Sequence, residues 1–330
     1  MFSAAFATIT QHLYIPTWHW AVLIGWFTLL ISVDLLLHRR DHSPTIHEAI
    51  IQSLVWIGLG IGLGLVFWPL YGASASTQYF SGYLIEKSLS IDNVFAWSVL
   101  LTYFKIPKQY QHRVLFWGVF GALILRAIFI FAGVAAIERF EPSLLIFGGL
   151  LLYSGYQLLI HNNDHEFDPE TSKTWGLISR FIPYAHKFDG HNLFTRVNGK
   201  RIATILFMAL LAIELTDVIF AIDSVPAILA VSRDPFIVFS SNAAAILGLR
   251  ALYFVFDHIK ERFWLLNKGL GIILIGVGIK MIISPSKIFG YKWLAIEIPT
   301  GISLLIIAAF LTTTITLSWL LTPPAHQSNS

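Results

Sequence analysis

Residues 212–227 read Ala-Ile-Glu-Leu-Thr-Asp-Val-Ile-Phe-Ala-Ile-Asp-Ser-Val-Pro-Ala. Three carboxylates, Glu214, Asp217 and Asp223, interrupt an otherwise apolar run. A related stretch, Tyr83 to Trp97, carries Glu86, Asp92 and Asn93 in similar surroundings. A charged side chain at the centre of a membrane helix costs roughly 2.5–3.5 kcal/mol on insertion scales. Five acids in two such segments are therefore read as a site rather than as packing.

The rest of the chain agrees with a membrane setting. Of its 330 residues 56% are apolar and only 12% charged, against about 25% charged in a soluble domain. Mean hydropathy is +0.69. The net charge of +3 is too small to suggest a nucleic-acid partner. There is no cysteine, which excludes disulfides, thiolate metal sites and cysteine nucleophiles. Met1 to Trp20 has no Lys or Arg and no small-residue cleavage pattern, so it does not read as a cleaved signal peptide.

A helix needs about 20 mainly apolar residues to cross a bilayer. That rule gives nine spans, at roughly 18–38, 48–71, 80–104, 113–137, 142–160, 202–230, 236–257, 266–284 and 294–320. Trp18, Trp20, Trp68 and Trp293 fall near span ends, where aromatic anchors concentrate. Gly58, Gly60, Gly62 and Gly64 in the second span either offer a surface for close helix packing or belong to a merely flexible apolar helix.

The basic residues set an orientation. With the N-terminus outside, the loops after spans one, three, five and seven hold fourteen Lys and Arg, from Arg39 to Lys268. The opposite side holds four: Arg139, Arg233, Lys287 and Lys292. Lys87, Arg126, Arg250 and Lys280 remain within spans, as partial neutralisers of the acids or as structural ion pairs. The expected topology is N-terminus outside and C-terminus cytoplasmic, with a cytoplasmic loop at 161–201. That loop holds His161, Asp164, His165, Glu166, Asp168, His186, Asp189 and His191, without the tight spacing of a zinc site.

Two blocks of three spans resemble each other. Leu125-Arg126-Ala127 matches Leu249-Arg250-Ala251, and Gly149 and Gly155 match Gly271 and Gly278. Asp92-Asn93-Val94-Phe95-Ala96 resembles Asp217-Val218-Ile219-Phe220-Ala221, while a second register pairs Glu86 with Asp217, Asp92 with Asp223 and Asn93 with Ser224. Because each unit has an odd number of spans, the second enters the membrane from the opposite side, as in inverted-repeat transporters with a site near the midplane. The expected architecture is all-α and polytopic. Residues 1–79 form an N-terminal two-helix region, 80–160 a first repeat, 161–201 the loop, 202–284 a second repeat, and 285–330 a last helix and tail.

In a helix, residues advance about 100° each, so Glu214 and Asp217 share a face while Asp223 lies about 180° from Glu214. With Pro226 close by, this predicts a kinked or broken helix near Asp223–Pro226. Carboxylate, Asn and Ser oxygens suit hard cations such as Mg²⁺, Ca²⁺ or Mn²⁺. A proton relay or a metal-free structural network is the alternative.

At these residues the chain resembles the TerC family of membrane proteins, and within it the Alx-like members. The carriers are GYLIEKSLSIDNVF at 82–95, ELTDVIFAIDSVPA at 214–227 and DPFIVFSSNAAAILGLRALYF at 234–254. The resemblance implies an inner-membrane protein linked to manganese homeostasis, with Mn²⁺ export as its foremost role. The family's intramembrane acids fall here on Glu86, Asp92, Glu214, Asp217 and Asp223, with Asn93, Ser224 and Asn242 as added oxygen donors. The expected function is a secondary transporter that moves Mn²⁺ as its transported ion, driven by an ion gradient (protons among the candidates) or by the membrane potential, since no nucleotide-binding motif is present. The other readings are a membrane scaffold in tellurium resistance or in metal loading of exported proteins, and an intramembrane enzyme, which no nucleophile motif supports. The bilayer is the expected surrounding, and the oligomeric state is left open.

Overall fold

A computed structural model describes residues 15–37, 45–140, 142–160, 184–185, 189–190, 192–197, 200–259, 265–283 and 300–321. Trp293, and all of the loop at 161–201 except 184–185, 189–190, 192–197 and 200–201, lie outside the described residues. Helix α1 runs Thr17–Leu37, and α2 is a helical stretch over Ile46–Tyr103. Helices α3 and α4 cover Lys108–Arg139 and Ser143–Ile160. A small sheet follows, with β1 Tyr184–Ala185, β2 Phe194–Val197 and β3 Lys200–Thr204 in the order β1-β3-β2. The β2–β3 pair is antiparallel and β1–β3 is parallel. The strand β3 feeds directly into α5, Ile205–Leu229. The remaining helices are α6 Pro235–Leu247, α7 Leu249–Ile259, α8 Leu266–Ile283 and α9 Thr300–Leu320.

The start of α2 is fixed locally. Thr45 Oγ1 accepts from the Glu48 backbone N–H, and the Glu48 carboxylate accepts from the Thr45 N–H, closing a capping box. The stretch then reverses at Gly72, whose φ of 88° and ψ of 169° are open only to glycine. Ser76 Oγ donates to the Gly64 carbonyl and Tyr79 OH to the Gly60 carbonyl, each at 2.8 Å. In one straight helix residues 60 and 79 would stand about 28 Å apart. The two arms of α2 are therefore a tight antiparallel hairpin.

That hairpin answers the glycine question. A Cβ on Gly60 would lie 2.6 Å from the Tyr83 ring, and one on Gly64 would lie 2.7 Å from Tyr79, whereas Gly58 and Gly62 face open space. Gly60 and Gly64, one helical turn apart, make the packing surface, and the other two do not.

Among the described residues, four helices are long and apolar enough to cross a membrane, or five if α6 and α7, bent by 41°, count as one span; α4 and α9 contribute shorter apolar segments. In α1 only 11% of the apolar window is buried inside the protein, and Trp18, Val22, Leu29 and Leu36 are exposed. Such a surface would be anomalous in water and is ordinary against lipid. The protein is an all-α, multi-pass membrane protein, apart from the short sheet before α5.

Two helix pairs set the interior. Gly118 and Gly133 of α3 approach Ile213 and Leu229 of α5, so those helices run in the same direction. Between α4 and α8 the approach is backbone on backbone. A Cβ on Gly155 would sit 2.7 Å from the Gly271 carbonyl oxygen, and one on Gly271 would sit 2.9 Å from that of Gly155. Gly148 and Gly278 are reciprocal in the same way, at 3.1 and 3.0 Å. This pair runs antiparallel, and its small residues let the backbones touch.

The expected break near Asp223–Pro226 is absent. Helix α5 is continuous from Ile205 to Leu229 with Pro226 inside it. Pro226 stands close to the helix end, so it removes one N–H, the donor that the Ile222 carbonyl would have used. The angular conflict among the acids is met by giving them different partners along one continuous helix.

Candidate functional site

The second arm of α2 carries Glu86, Ser90 and Asn93 at helical spacings that stack them on one side. Helix α5 brings Asp217 and Ser224, seven residues apart and so on one face. Helix α3 contributes Arg126 and α6 contributes Asn242. Glu86 is 0% exposed, and Asn93, Arg126, Asp217, Ser224 and Asn242 are each 1% exposed. Groups buried this deeply are cut off from bulk solvent, so leaving any of them without a hydrogen-bond partner is costly.

Arg126 stands at the centre. Its Nη1 donates to Glu86 Oε1 and, at 3.1 Å, to Ser224 Oγ. Its Nη2 lies 3.4 Å from Asp217 Oδ1 and its Nε 3.5 Å from Asp217 Oδ2. Neutral donors complete the shell. Asn93 Nδ2 donates to Asp217 Oδ1 at 3.2 Å, Asn242 Nδ2 to Glu86 Oε2 at 2.9 Å, and Ser90 Oγ to Glu86 Oε1 at 3.1 Å.

Two features of this cluster are chemically unfinished. With both carboxylates ionised, one guanidinium leaves one negative charge in excess. Asn93 Oδ1 and Asn242 Oδ1 are also buried without a hydrogen-bond partner among the described residues. Their orientation is fixed, because flipping either amide would press its oxygen against a carboxylate. The cluster therefore holds acceptors in surplus, all of them hard oxygens of the kind that bind Mg²⁺, Ca²⁺ or Mn²⁺.

The other expected residues lie elsewhere. Glu214, half-buried, sits where a Cβ on Gly121 would overlap its carboxylate, and its Oε2 has no hydrogen-bond partner among the described residues. Asp223 accepts from Ser154 Oγ of α4 at 2.6 Å. Asp92 lies in α2, but its side chain is outside the described residues. Glu86, Asn93, Asp217, Ser224 and Asn242 are thus joined through Arg126, whereas Glu214 and Asp223 have separate surroundings. No group of three His, Cys, Asp or Glu side chains positioned for a metal occurs among the described residues.

Three partners were not singled out by sequence as site members. Ser90 is one turn from Glu86, a spacing that could have drawn it in. Ser154 carries no local signal. Arg126 appears in the repeated Leu-Arg-Ala triplet, but its aim differs from that of Arg250, which pairs with Asp34 at 2.6 Å. Lys87, next to Glu86 in the chain, donates instead to the Ala245 carbonyl at 3.1 Å, beside the bend between α6 and α7.

Comparison with known proteins places this arrangement. A family model described as Integral membrane protein TerC family matches residues 71–325. The Myxococcus xanthus protein named Uncharacterized membrane protein STKORF319 is 42% identical over 312 residues, covering 94% of this chain and 95% of that protein. The Escherichia coli K12 protein named Putative membrane-bound redox modulator Alx is 42% identical over 266 residues, covering 77% and 82%. A Rickettsia bellii membrane protein is 35% identical over 265 residues, covering 80% and 87%. No solved structure matches the chain. The matched span contains every residue of the buried cluster, and the chain belongs to the TerC family of integral membrane proteins.

Proposed function

We propose that the protein is an inner-membrane transporter that exports a hard divalent cation, Mn²⁺ foremost, through the Glu86–Asp217 cluster. The observation that carries this reading is the buried surplus of hard oxygen acceptors where α2, α5 and α6 meet. Apolar burial gives no reason to gather two carboxylates and two half-used amides in one place, whereas a divalent cation would use all of them. The family relationship supports a link to metal and redox handling. The redox function in the Alx relatives' name would act here through the metal, because this chain has no cysteine for dithiol exchange.

The wider architecture in this reading is nine spans, N-terminus outside, with two inverted three-helix repeats. The reciprocal contacts Gly148–Gly278 and Gly155–Gly271 support it, since a two-fold exchange of α4 and α8 that pairs Gly148, rather than Gly149, with Gly271 and Gly155 with Gly278 carries one contact onto the other. Energy would come from a proton gradient or the membrane potential.

A scaffold role is the second reading, favoured by the ion pairs that Arg126 makes with both carboxylates. Mn²⁺ flux into proteoliposomes containing the purified protein alone separates the two. Glu86→Gln and Asp217→Asn should each reduce flux at least about tenfold, since even supporting partners of a metal ligand are worth roughly 10–100-fold. Undiminished flux in both well-folded variants would remove the transport site from this cluster. Absence of wild-type flux under an imposed proton gradient would favour the scaffold.

A further inference from the structure

We propose that Arg126 is a tethered cation that occupies the Glu86–Asp217 site when no ion is bound, and that Glu214 receives its guanidinium when the ion enters. The inference rests on the reading of Glu86 and Asp217 as the ion site.

Arg126 meets the charge of the site but not its oxygen acceptors. It donates to Glu86, Asp217 and Ser224, while Asn93 Oδ1 and Asn242 Oδ1 stay without partners among the described residues. A divalent ion placed between the carboxylates would use both kinds of group and would repel the guanidinium. The hold on Asp217 is loose, with 3.4 and 3.5 Å contacts at the limit of hydrogen bonding. Arg250, in the matching Leu-Arg-Ala triplet, has its own carboxylate in Asp34, whereas among the described residues Arg126 forms ion pairs with Glu86 and Asp217 only.

A displaced guanidinium needs a second carboxylate within reach. Helices α3 and α5 run in the same direction, and α-helical side chains lean toward the N-terminus. Arg126 therefore leans down α3 toward the level of Asp217, and Glu214 is the next acid further along, one turn before Asp217. Gly121 leaves the space that the Glu214 carboxylate occupies, and Glu214 Oε2 has no hydrogen-bond partner among the described residues.

The test is Mn²⁺ binding to the purified full-length protein, read from the loss of the free-ion EPR signal, with thermal stability measured in chelator and in Mn²⁺. A competitor that fills the site nine-tenths of the time weakens apparent affinity about tenfold, so Arg126→Gln should tighten Mn²⁺ binding by about that factor. Glu214→Gln should weaken it, because the guanidinium loses its alternative partner. The double variant should bind like Arg126→Gln. If Glu214 were itself an ion ligand, the double variant would bind more weakly than Arg126→Gln, and the receiving role would fall. Arg126→Gln should also be destabilised in chelator and restored by Mn²⁺, which a purely structural arginine would not be. Unchanged affinity in Arg126→Gln, or a variant that Mn²⁺ cannot recover, overturns the proposal. Should Glu86→Gln and Asp217→Asn leave Mn²⁺ binding intact, the ion site itself lies elsewhere and the functional reading falls. Loss of binding in those two, with Arg126→Gln unchanged, removes only the tethered cation.

Discussion

At the scale of single residues, the charge ratio around Arg126 predicts how neutralisation is tolerated. One guanidinium faces two carboxylates, so Glu86→Gln or Asp217→Asn alone still leaves Arg126 a partner. Each single variant should therefore lose only about 0.5–1.5 kcal/mol, the worth of an ordinary hydrogen bond. The double variant strands a buried cation and should lose on the order of 3–5 kcal/mol, well beyond the sum. Thermal unfolding in detergent and chelator reads this directly, and an additive double variant would contradict the shared-partner geometry. Much of this site was legible in the sequence, because a carboxylate in an apolar run is costly wherever it lies. What one segment could not reveal was which acids meet. Glu214, Asp217 and Asp223 look equivalent in a string of letters, yet they face Gly121, Arg126 and Ser154 respectively. Helical angles separate Asp223 from Glu214 and predict a kinked or broken helix, whereas α5 runs without a break and gives each acid a different neighbour.

At the scale of elements, the α2 hairpin depends on three glycines with different duties. Gly72 holds φ 88° and ψ 169°, a region that an L side chain enters at a cost of about 1–3 kcal/mol, so Gly72→Ala should destabilise by that amount without any steric clash. Gly60→Ala and Gly64→Ala press a methyl into Tyr83 and Tyr79 and should cost about 1–3 kcal/mol by overpacking. Gly58→Ala and Gly62→Ala meet open space and should be neutral or slightly stabilising, as expected when alanine replaces a helical glycine. Comparing the five variants by thermal melting checks the assignment; equal effects at Gly58 and Gly60 would refute it. Alternation of glycines along a helix cannot say which side has a neighbour. Hydropathy alone gave both arms of this hairpin, but the reversal between them needed the backbone of Gly72. The short sheet before α5 was not foreseen, since β2 and β3 are only four and five residues long and lie in a polar stretch.

At the scale of the whole molecule, the distribution of Lys and Arg and the helix directions bear on the same question. Helices α3 and α5 ascend together, and α4 descends against α8. In a chain that crosses the membrane at each of nine spans, the fourth and sixth spans must be parallel and the fifth and eighth antiparallel, which matches both pairs. On that nine-span order, the fourteen-to-four excess of basic residues predicts the side, because positively charged loops are retained in the cytoplasm. The absence of native cysteine makes this measurable without a background. Single cysteines introduced at Asn163 and at Ser286 should react with a membrane-impermeant maleimide in intact cells differently: Ser286→Cys labelled from outside, Asn163→Cys only after the membrane is opened. Both positions labelling from outside would break the nine-span order. The reverse pattern would keep the spans but invert the protein, and with it the direction in which the proposed Glu86–Asp217 site would pass its ion.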